Sequence, residues 1–355
     1  MGVFASSRGH EQVVHLADEA TGLRAIVAIH STALGPALGG TRWRPYASED
    51  EALEDVLRLS RAMTYKNACA GIDHGGGKAV ILGDPTTDRS EALLRAYGRA
   101  IAGLGGRYAT ACDIGTTPAD MALIRRETTW ATGADPVDGG SGDSGVTTAL
   151  GVELAMRAAV AFATGEETLT GRHVAIQGLG KVGGRLARSL SAQGAKVTVA
   201  DVSEQAVAAV ADLPGVEVVD VADVLAVDAD VVSPNALGAV LDETSIARLQ
   251  APIVCGGANN QLAGDDDAAR LRDAGVDDVV GAVQHAGGVV QVADELQPGG
   301  PDPARVARAA EAIPATLTTI LEIARADGST TEEAAARVAE DRIAAVGGVR
   351  RWWVA

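Results

Sequence analysis

Hydrophobic and polar positions change their rhythm once along this chain, near residue 165. Before that point, short apolar runs alternate with turn residues and helical stretches. Residues 23–30 are dense in β-branched side chains behind a Thr-Gly pair and predict a strand. Ser48 to Glu51 has the form of a capping box, with Ser48 as N-cap and Glu51 as the N3 acid. Behind it, Leu53, Val56, Leu57 and Ala62 share one helical face. Residues 78–82 predict a second strand, and Ser90 opens a helix carrying Leu93, Leu94, Tyr97 and Ile101. Residues 133–145 are rich in Gly, Asp and Ser without an apolar run, as expected of a domain junction. A long helix of small and apolar residues follows over 147–163.

The later pattern is strand–turn–helix. Strands are expected at 173–177, 196–200, 216–219, 231–232 and 253–254, each interval long enough for a helix. Such alternation argues for a parallel sheet covered on both faces. The chain closes on Ala-, Arg- and Glu-rich helical stretches at 303–326 and 331–345.

Composition narrows the function classes. A chain of 355 residues accommodates two domains, and its net charge of −17 argues against a nucleic-acid partner. The three cysteines, Cys69, Cys112 and Cys255, form no CxxC pair and have no His at metal spacing. That argues against a disulfide scaffold or a structural metal, and for a reducing, cytoplasmic compartment. No apolar signal region or uncharged 18-residue apolar stretch is visible, so neither export nor a membrane span is expected.

Two places carry candidate chemistry. The first is a GxGxxG formed by Gly178, Leu179, Gly180, Lys181, Val182 and Gly183, between a predicted strand and a predicted helix. Asp201 ends the next strand, 23 positions after Gly178, with Val202 behind it. In this context Gly178 makes the turn and Gly180 admits a pyrophosphate to the backbone. Gly183 lets helix and strand pack, and the helix N-terminus faces the phosphates. Asp201 is placed for ribose hydroxyls and would repel the additional phosphate of NADP, which favours NAD.

The second place is a set of glycine clusters around two lysines. Gly39-Gly40-Thr41-Arg42 precedes Lys66, and Gly75-Gly76-Gly77-Lys78 follows it. A P-loop is excluded, because Ile72 stands where its first Gly belongs and Ala79 where Ser or Thr should follow the Lys. Two partly desolvated amines close together push each other toward the neutral form, which makes a lysine a base near neutral pH. Asp113 lies in an apolar stretch; it reads either as their acidic partner or as the N-cap of a helix starting around Thr116 to Pro118.

The stretches HSTALGPALGGTRWRPYAS, YKNACAGIDHGGGKAVILGDP, GGRYATACDIGT, GDSGVTTALGV, GLGKVGG, CGGANNQLA and AGGVVQVADEL cover most of the chain in order. In them the sequence resembles the Glu/Leu/Phe/Val dehydrogenases. The resemblance implies an α/β fold of two domains: a substrate domain over 1–142 and a Rossmann-type NAD-binding domain over 143–317. Helices in 318–355 would return to the first domain, and closure of the two domains would enclose the substrate. The implied reaction is NAD-dependent oxidative deamination of L-valine or a similar amino acid to its 2-oxo acid and ammonia, in a homo-oligomer.

The resemblance also implies roles. Lys66 anchors the substrate carboxylate with backbone at Gly39 and Gly40, Lys78 activates water, and Asp113 exchanges protons with the amino group. Leu38, Ala111, Val289 and Val292 form the side-chain pocket. Thr148 and Asn259 contact the nicotinamide half of the cofactor, with Arg42 and Ala258 also assigned to the cofactor. His285 stands where the family carries a substrate-contacting Asn. That leaves leucine or phenylalanine as alternative substrates, and a silent NAD-binding regulator as the other alternative.

Overall fold

The computed structural model describes residues 8–236, 238–258, 261–264, 266–284 and 286–348. The expected Asn259 and His285 therefore lie outside the described residues. The chain divides into two units: 1–144 with 289–305 and 339–355, and 145–288 with 306–338.

Strands β1 (Gln12–Asp18), β2 (Leu23–Ser31), β3 (Ala37–Arg44), β4 (Gly75–Leu82) and β5 (Tyr108–Cys112) form the sheet of the first unit. Their order is β1-β2-β4-β3-β5. β1, β2 and β4 pair antiparallel, whereas β3 runs parallel to both β4 and β5. Helix α1 (Glu49–Cys69) covers one face, where Ala52, Val56 and Leu57 meet Ile26, Ala28 and Val80. Helices α2 (Glu91–Ala102) and α3 (Pro118–Arg125) cover the other, with Leu94, Tyr97, Met121 and Ile124 packed on Val27, Ile29, Trp43 and Ile81.

Local signals explain where the helices begin. The Ser48 and Ser90 hydroxyls accept from the backbone N–H of Glu51 at 3.1 Å and of Leu93 at 3.2 Å. The Glu51 carboxylate departs from the expected box: it accepts from the N–H of Ala47, one residue earlier, and from Arg44. Thr117, with Asp120, makes the reciprocal capping box of α3, so Asp113 is not a helix cap.

The glycine-rich segments are strands here, although glycine is depleted in strands generally. Their need is steric. A Cβ on Gly76 would overlap the Thr64 backbone on α1, and one on Gly77 would stand 2.7 Å from the Tyr108 ring.

The second unit opens with α4 (Gly145–Thr164), long and apolar enough by composition to cross a membrane but packed here on other helices. Then come β6 (His173–Gln177), α5 (Gly183–Ala192), β7 (Lys196–Ala200), α6 (Glu204–Ala208), β8 (Val216–Val218) and β9 (Val231–Pro234). α7 (Glu243–Ile246), β10 (Ile253–Val254), α8 (Asp267–Asp273), β11 (Asp277–Asp278) and α9 (Gly281–Gln284) complete the series. All strand pairings are parallel, in the order β11-β10-β9-β6-β7-β8. This is the doubly wound order, with its switch point between β6 and β9.

The remaining helices are α10 (Ala286–Asp294), α11 (Pro303–Ala310), α12 (Ile313–Asp327) and α13 (Thr331–Gly347). The division differs from the expected return of residues 318–355 to the first unit. Residues 306–338, including α12, stay with the second unit, because the apolar face of α12 packs on α4; only 339–355 belong to the first. Residues 289–305 also join the first unit, although they fall inside the expected NAD domain.

Glu295, just past α10, has a fully buried side chain. Its carboxylate accepts from the N–H of Gly133 at 3.1 Å, the N–H of Ser141 at 2.9 Å and the Ser141 hydroxyl at 2.5 Å, with Arg125 at 3.4 Å. It orders the Gly-rich segment that precedes the second unit. Replacing Glu295 by Ala removes the acceptor of the buried Gly133 N–H and of Ser141, while Arg125 keeps its bonds to the Ala131 and Gly139 carbonyls. The expected loss is about 1–3 kcal/mol, read as a drop of several degrees in the melting temperature.

Candidate functional site

Period-two alternation collects the site on one face of the first sheet. β3 presents Leu38, Gly40 and Arg42 toward α1, β4 presents Gly76, Lys78 and Val80, and β5 presents Ala109 and Ala111, with Asp113 just beyond its end. β3 and β5 pair Leu38 with Ala109 and Gly40 with Ala111. Between β3 and β4 the ladder joins Leu38 to Gly76 and Thr41 to Ala79, but skips Gly39 and Gly40. At the gap, Asn67 of α1 donates to the carbonyls of Leu38 at 3.2 Å and Gly75 at 2.6 Å. A Cβ on Gly40 would stand 2.9 Å from the Asp113 side chain. The glycines thus let three strands and α1 close around one spot.

At that spot Lys78 Nζ lies 2.7 Å from Asp113 Oδ2, with side chains 9% and 14% exposed. Arg42 Nε stands 3.3 Å from the same oxygen, and its Nη1 reaches Asp55 at 3.0 Å. The Asp113 N–H donates to Thr116 Oγ1 at 2.9 Å, and that hydroxyl donates to the Thr41 carbonyl, which fixes the turn after β5. Burial works to raise the Asp113 pKa. The Lys78 charge and hydrogen bond, with Arg42, outweigh it and hold the carboxyl below its usual range.

Lys66, on the last turn of α1, completes the group. Burial first, and then the charge of Lys78, push its amine down to about 8, against the opposite pull of Asp113. A half-buried amine that is cationic at neutral pH and short of solvent suits a carboxylate partner.

The expected pocket residues divide. Leu38 packs with Ala109 and Ala293, and Val292 joins this cluster with Ile72, Trp130 and Leu296. Ala111 is buried one row further along β5, beside Gly40. Val289 is buried on α10 but is not in the cluster around Leu38. Arg42, expected at the cofactor, pairs with Asp55 and Asp113, toward which its β3 position turns it.

In the second unit, Gly178 leaves β6 with φ +88° and closes on Ala236. A Cβ on Gly183 would overlap the Gly178 carbonyl, so α5 begins in close contact with the turn. A Cβ on Gly180 would meet nothing within 4 Å. Space therefore lies open at the one glycine that a pyrophosphate must approach. Asp201 accepts from the N–H of Leu179 at 2.5 Å and of Ser203 at 2.8 Å, which orients its carboxylate at the end of β7. Lys181 and Val202 are exposed and Val182 is half-buried. Thr148 lies in the first turn of α4, and Ala258 is buried with its N–H on the Pro234 carbonyl. These residues fit a dinucleotide cofactor.

Sequence reasoning passed over Asn67, Asp55 and Ile72, which carry no motif. One compositional signal was present. Among thirty basic residues only four are lysine, namely Lys66, Lys78, Lys181 and Lys196, and the other twenty-six are arginine. Two of the four, Lys66 and Lys78, lie at the candidate site, whereas Lys196 is exposed beside Glu217.

Comparison with known proteins agrees with this layout. The family model for the Glu/Leu/Phe/Val dehydrogenase dimerisation domain matches residues 10–130. That for the NAD-binding domain of D-isomer specific 2-hydroxyacid dehydrogenases matches residues 156–244. The chain is 50% identical over 339 residues to a valine dehydrogenase of Streptomyces coelicolor, covering 95% of this chain and 93% of that protein. It is 45% identical over 337 residues to a leucine dehydrogenase of Bacillus cereus, covering 95% and 92%. The crystal structure of L-tryptophan dehydrogenase from Nostoc punctiforme superposes with a TM-score of 0.87 at 39% identity, covering 97% of this chain and 99% of that one. On these matches and this fold, the chain belongs to the Glu/Leu/Phe/Val dehydrogenase family.

Proposed function

We propose that this protein catalyses the NAD-dependent oxidative deamination of a branched-chain L-amino acid, L-valine first among them, and the reverse reductive amination. The observation that carries the reading is the buried Lys78–Asp113 contact at 2.7 Å beside a second lysine whose amine is pushed down to about 8. The valine and leucine dehydrogenases to which the chain is 50% and 45% identical support the substrate class.

In this reading the Lys66 ammonium, with backbone at Gly39 and Gly40, binds the substrate carboxylate. Asp113 accepts a proton from the substrate amino group and so readies the Cα–N bond to become an imine. NAD, when bound, supplies the acceptor for the hydride leaving Cα. Lys78, which enters this step as the neutral amine, takes a proton from the water that adds to the imine carbon. Lys78 and Asp113 then return their two protons to the nitrogen, the C–N bond breaks with its electrons on nitrogen, and the carbon-bound hydroxyl loses its proton to solvent as the C=O bond forms, so that ammonium and the 2-oxo acid are released. Amino acid, NAD⁺ and water are thereby balanced by 2-oxo acid, ammonium, NADH and one proton. Lys78 needs a fixed orientation for this, and its contact with Asp113 provides it.

We also propose that the protein works in the cytoplasm as a homo-oligomer. The match of residues 10–130 to a dimerisation domain supports self-association.

NADH absorbance with a panel of L-amino acids tests the whole reading; NAD binding without turnover of any of them would overturn it. Lys78→Met is expected to lower kcat by about 10²–10⁴ while NAD affinity, measured by calorimetry, stays as it was. Undiminished kcat would remove Lys78 from its role.

The Lys66 pKa sets a pH dependence. The amine is lowered to about 8, so it is charged below that pH and neutral above it. The affinity of 3-methyl-2-oxobutanoate should therefore fall as pH rises through 8, by about tenfold per unit. Lys66→Arg, which stays charged, should flatten the profile. Asp201→Ser removes a charged acceptor. It should raise KM for NAD roughly tenfold and narrow the preference for NAD over NADP, as steady-state kinetics with both cofactors would record.

A further inference from the structure

The connection between the two lysines has a side chain with no role so far. We propose that Ile72 is a specificity-determining wall of the substrate's side-chain pocket and that Arg342 is the residue that positions it. This rests on the dehydrogenase reading above, since it names a further part of the same pocket.

Ile72 is half-buried in the turn between α1, which carries Lys66, and β4, which carries Lys78. It packs against the cluster of Leu38, Ala109 and Ala293, together with Val292. Leu38 and Ala109 form the row of the sheet immediately before the Gly40–Ala111 row. The two rows are two strand residues apart, ~6–7 Å. A substrate whose Cα lies at Lys78 and Asp113 and whose side chain points along the strands reaches this cluster with its terminal methyl groups. Leu38 and Ala109 are fixed on strands and almost fully buried, so they form a floor. Ile72 stands on a turn, and its position depends on what holds that turn.

Arg342 holds it. Its Nη1 donates to the Ile72 carbonyl at 3.1 Å, and its Nη2 donates to the Gly71 carbonyl at 2.9 Å and to Asp73 Oδ1 at 3.1 Å. Gly71 turns the chain with φ +72°, and the Ile72 N–H donates to the Asn67 carbonyl at 3.2 Å. The guanidinium fork therefore fixes the peptide groups on both sides of the Ile72 nitrogen and carbonyl, which an ammonium cannot span. Arg342 lies in the part of α13 that belongs to the first unit, and Tyr65 donates at 3.0 Å to Glu340, two residues earlier on the same helix. Arg342 touches neither lysine nor Asp113 in these contacts, so it acts on the pocket only through the turn.

The test compares kcat/KM for L-valine, L-leucine and L-phenylalanine in the wild type, Ile72→Ala, Ile72→Phe, Arg342→Ala and Arg342→Lys. Binding of 3-methyl-2-oxobutanoate and 4-methyl-2-oxopentanoate is measured alongside by calorimetry. Ile72→Ala should raise the leucine-to-valine ratio at least ~tenfold, and Ile72→Phe should lower it. Arg342→Ala should shift the ratio in the direction of Ile72→Ala, Arg342→Lys should restore it in part, and NAD affinity should stay constant in all four. Ratios unchanged in both Ile72 variants, each folded by its melting curve, would overturn the wall. An effect of Arg342→Ala on kcat for all substrates alike, with no change in ratio, would overturn its positioning role. A wild type without turnover would defeat the proposed reaction alone, and the two oxo-acid affinities would still report on Ile72.

Discussion

A buried ammonium and a buried carboxylate 2.7 Å apart hold the chemical centre of the first unit together. Taking both charges out of water is costly, and their attraction offsets that cost only when geometry and further hydrogen bonds are good. Here the supports are visible. Arg42 contacts the carboxylate from the side and is itself fixed by Asp55, while Thr116 fixes the turn on which Asp113 stands.

The same constraint explains the glycines. For side chains from β3, β4, β5 and α1 to converge on one point, the backbones must come closer than Cβ atoms permit. Gly39, Gly40 and Gly76 remove those atoms where the Gly77 carbonyl, Asp113 and Thr64 crowd in, and Gly77 makes room for the Tyr108 ring on the opposite face. Glycine loses more entropy on folding than other residues and weakens strands. The chain accepts that cost at its centre, and large apolar side chains on β2, α2 and α3 form the core on the opposite face. The dinucleotide unit uses glycine for three separate reasons within six residues: a positive φ at Gly178, open space at Gly180 and helix contact at Gly183.

Legibility in the sequence followed the physics of each signal. The strands β6 and β7 were readable to the residue, since dense β-branched runs between turn signals are a local property. β3 and the start of β4 were not readable, because their glycines obey tertiary crowding and contradict strand propensity. The C-terminal helices were legible as helices, although Pro303–Ala310 and Ile313–Asp327 are separate where one stretch was expected. Their allegiance was not legible, because it depends on the distant face that each one meets. The pairing of Arg42 with Asp55 and Asp113 was illegible for a related reason, since it depends on the direction in which β3 turns the side chain.

The sequence by itself determined the family and the two-unit α/β order and singled out Lys66, Lys78 and Asp113 as candidates, since motif spacing and residue chemistry are written locally. Tertiary structure alone decided that the trio shares one sheet face, that Lys66 loses enough water and meets enough positive charge to bring its amine down to about 8, and that Ile72 belongs to the cluster of Leu38 and Val292. Charge coupling and apolar packing depend on distances across the fold, and residues 66, 78 and 113 come within reach of one another only when strands separated in sequence lie side by side.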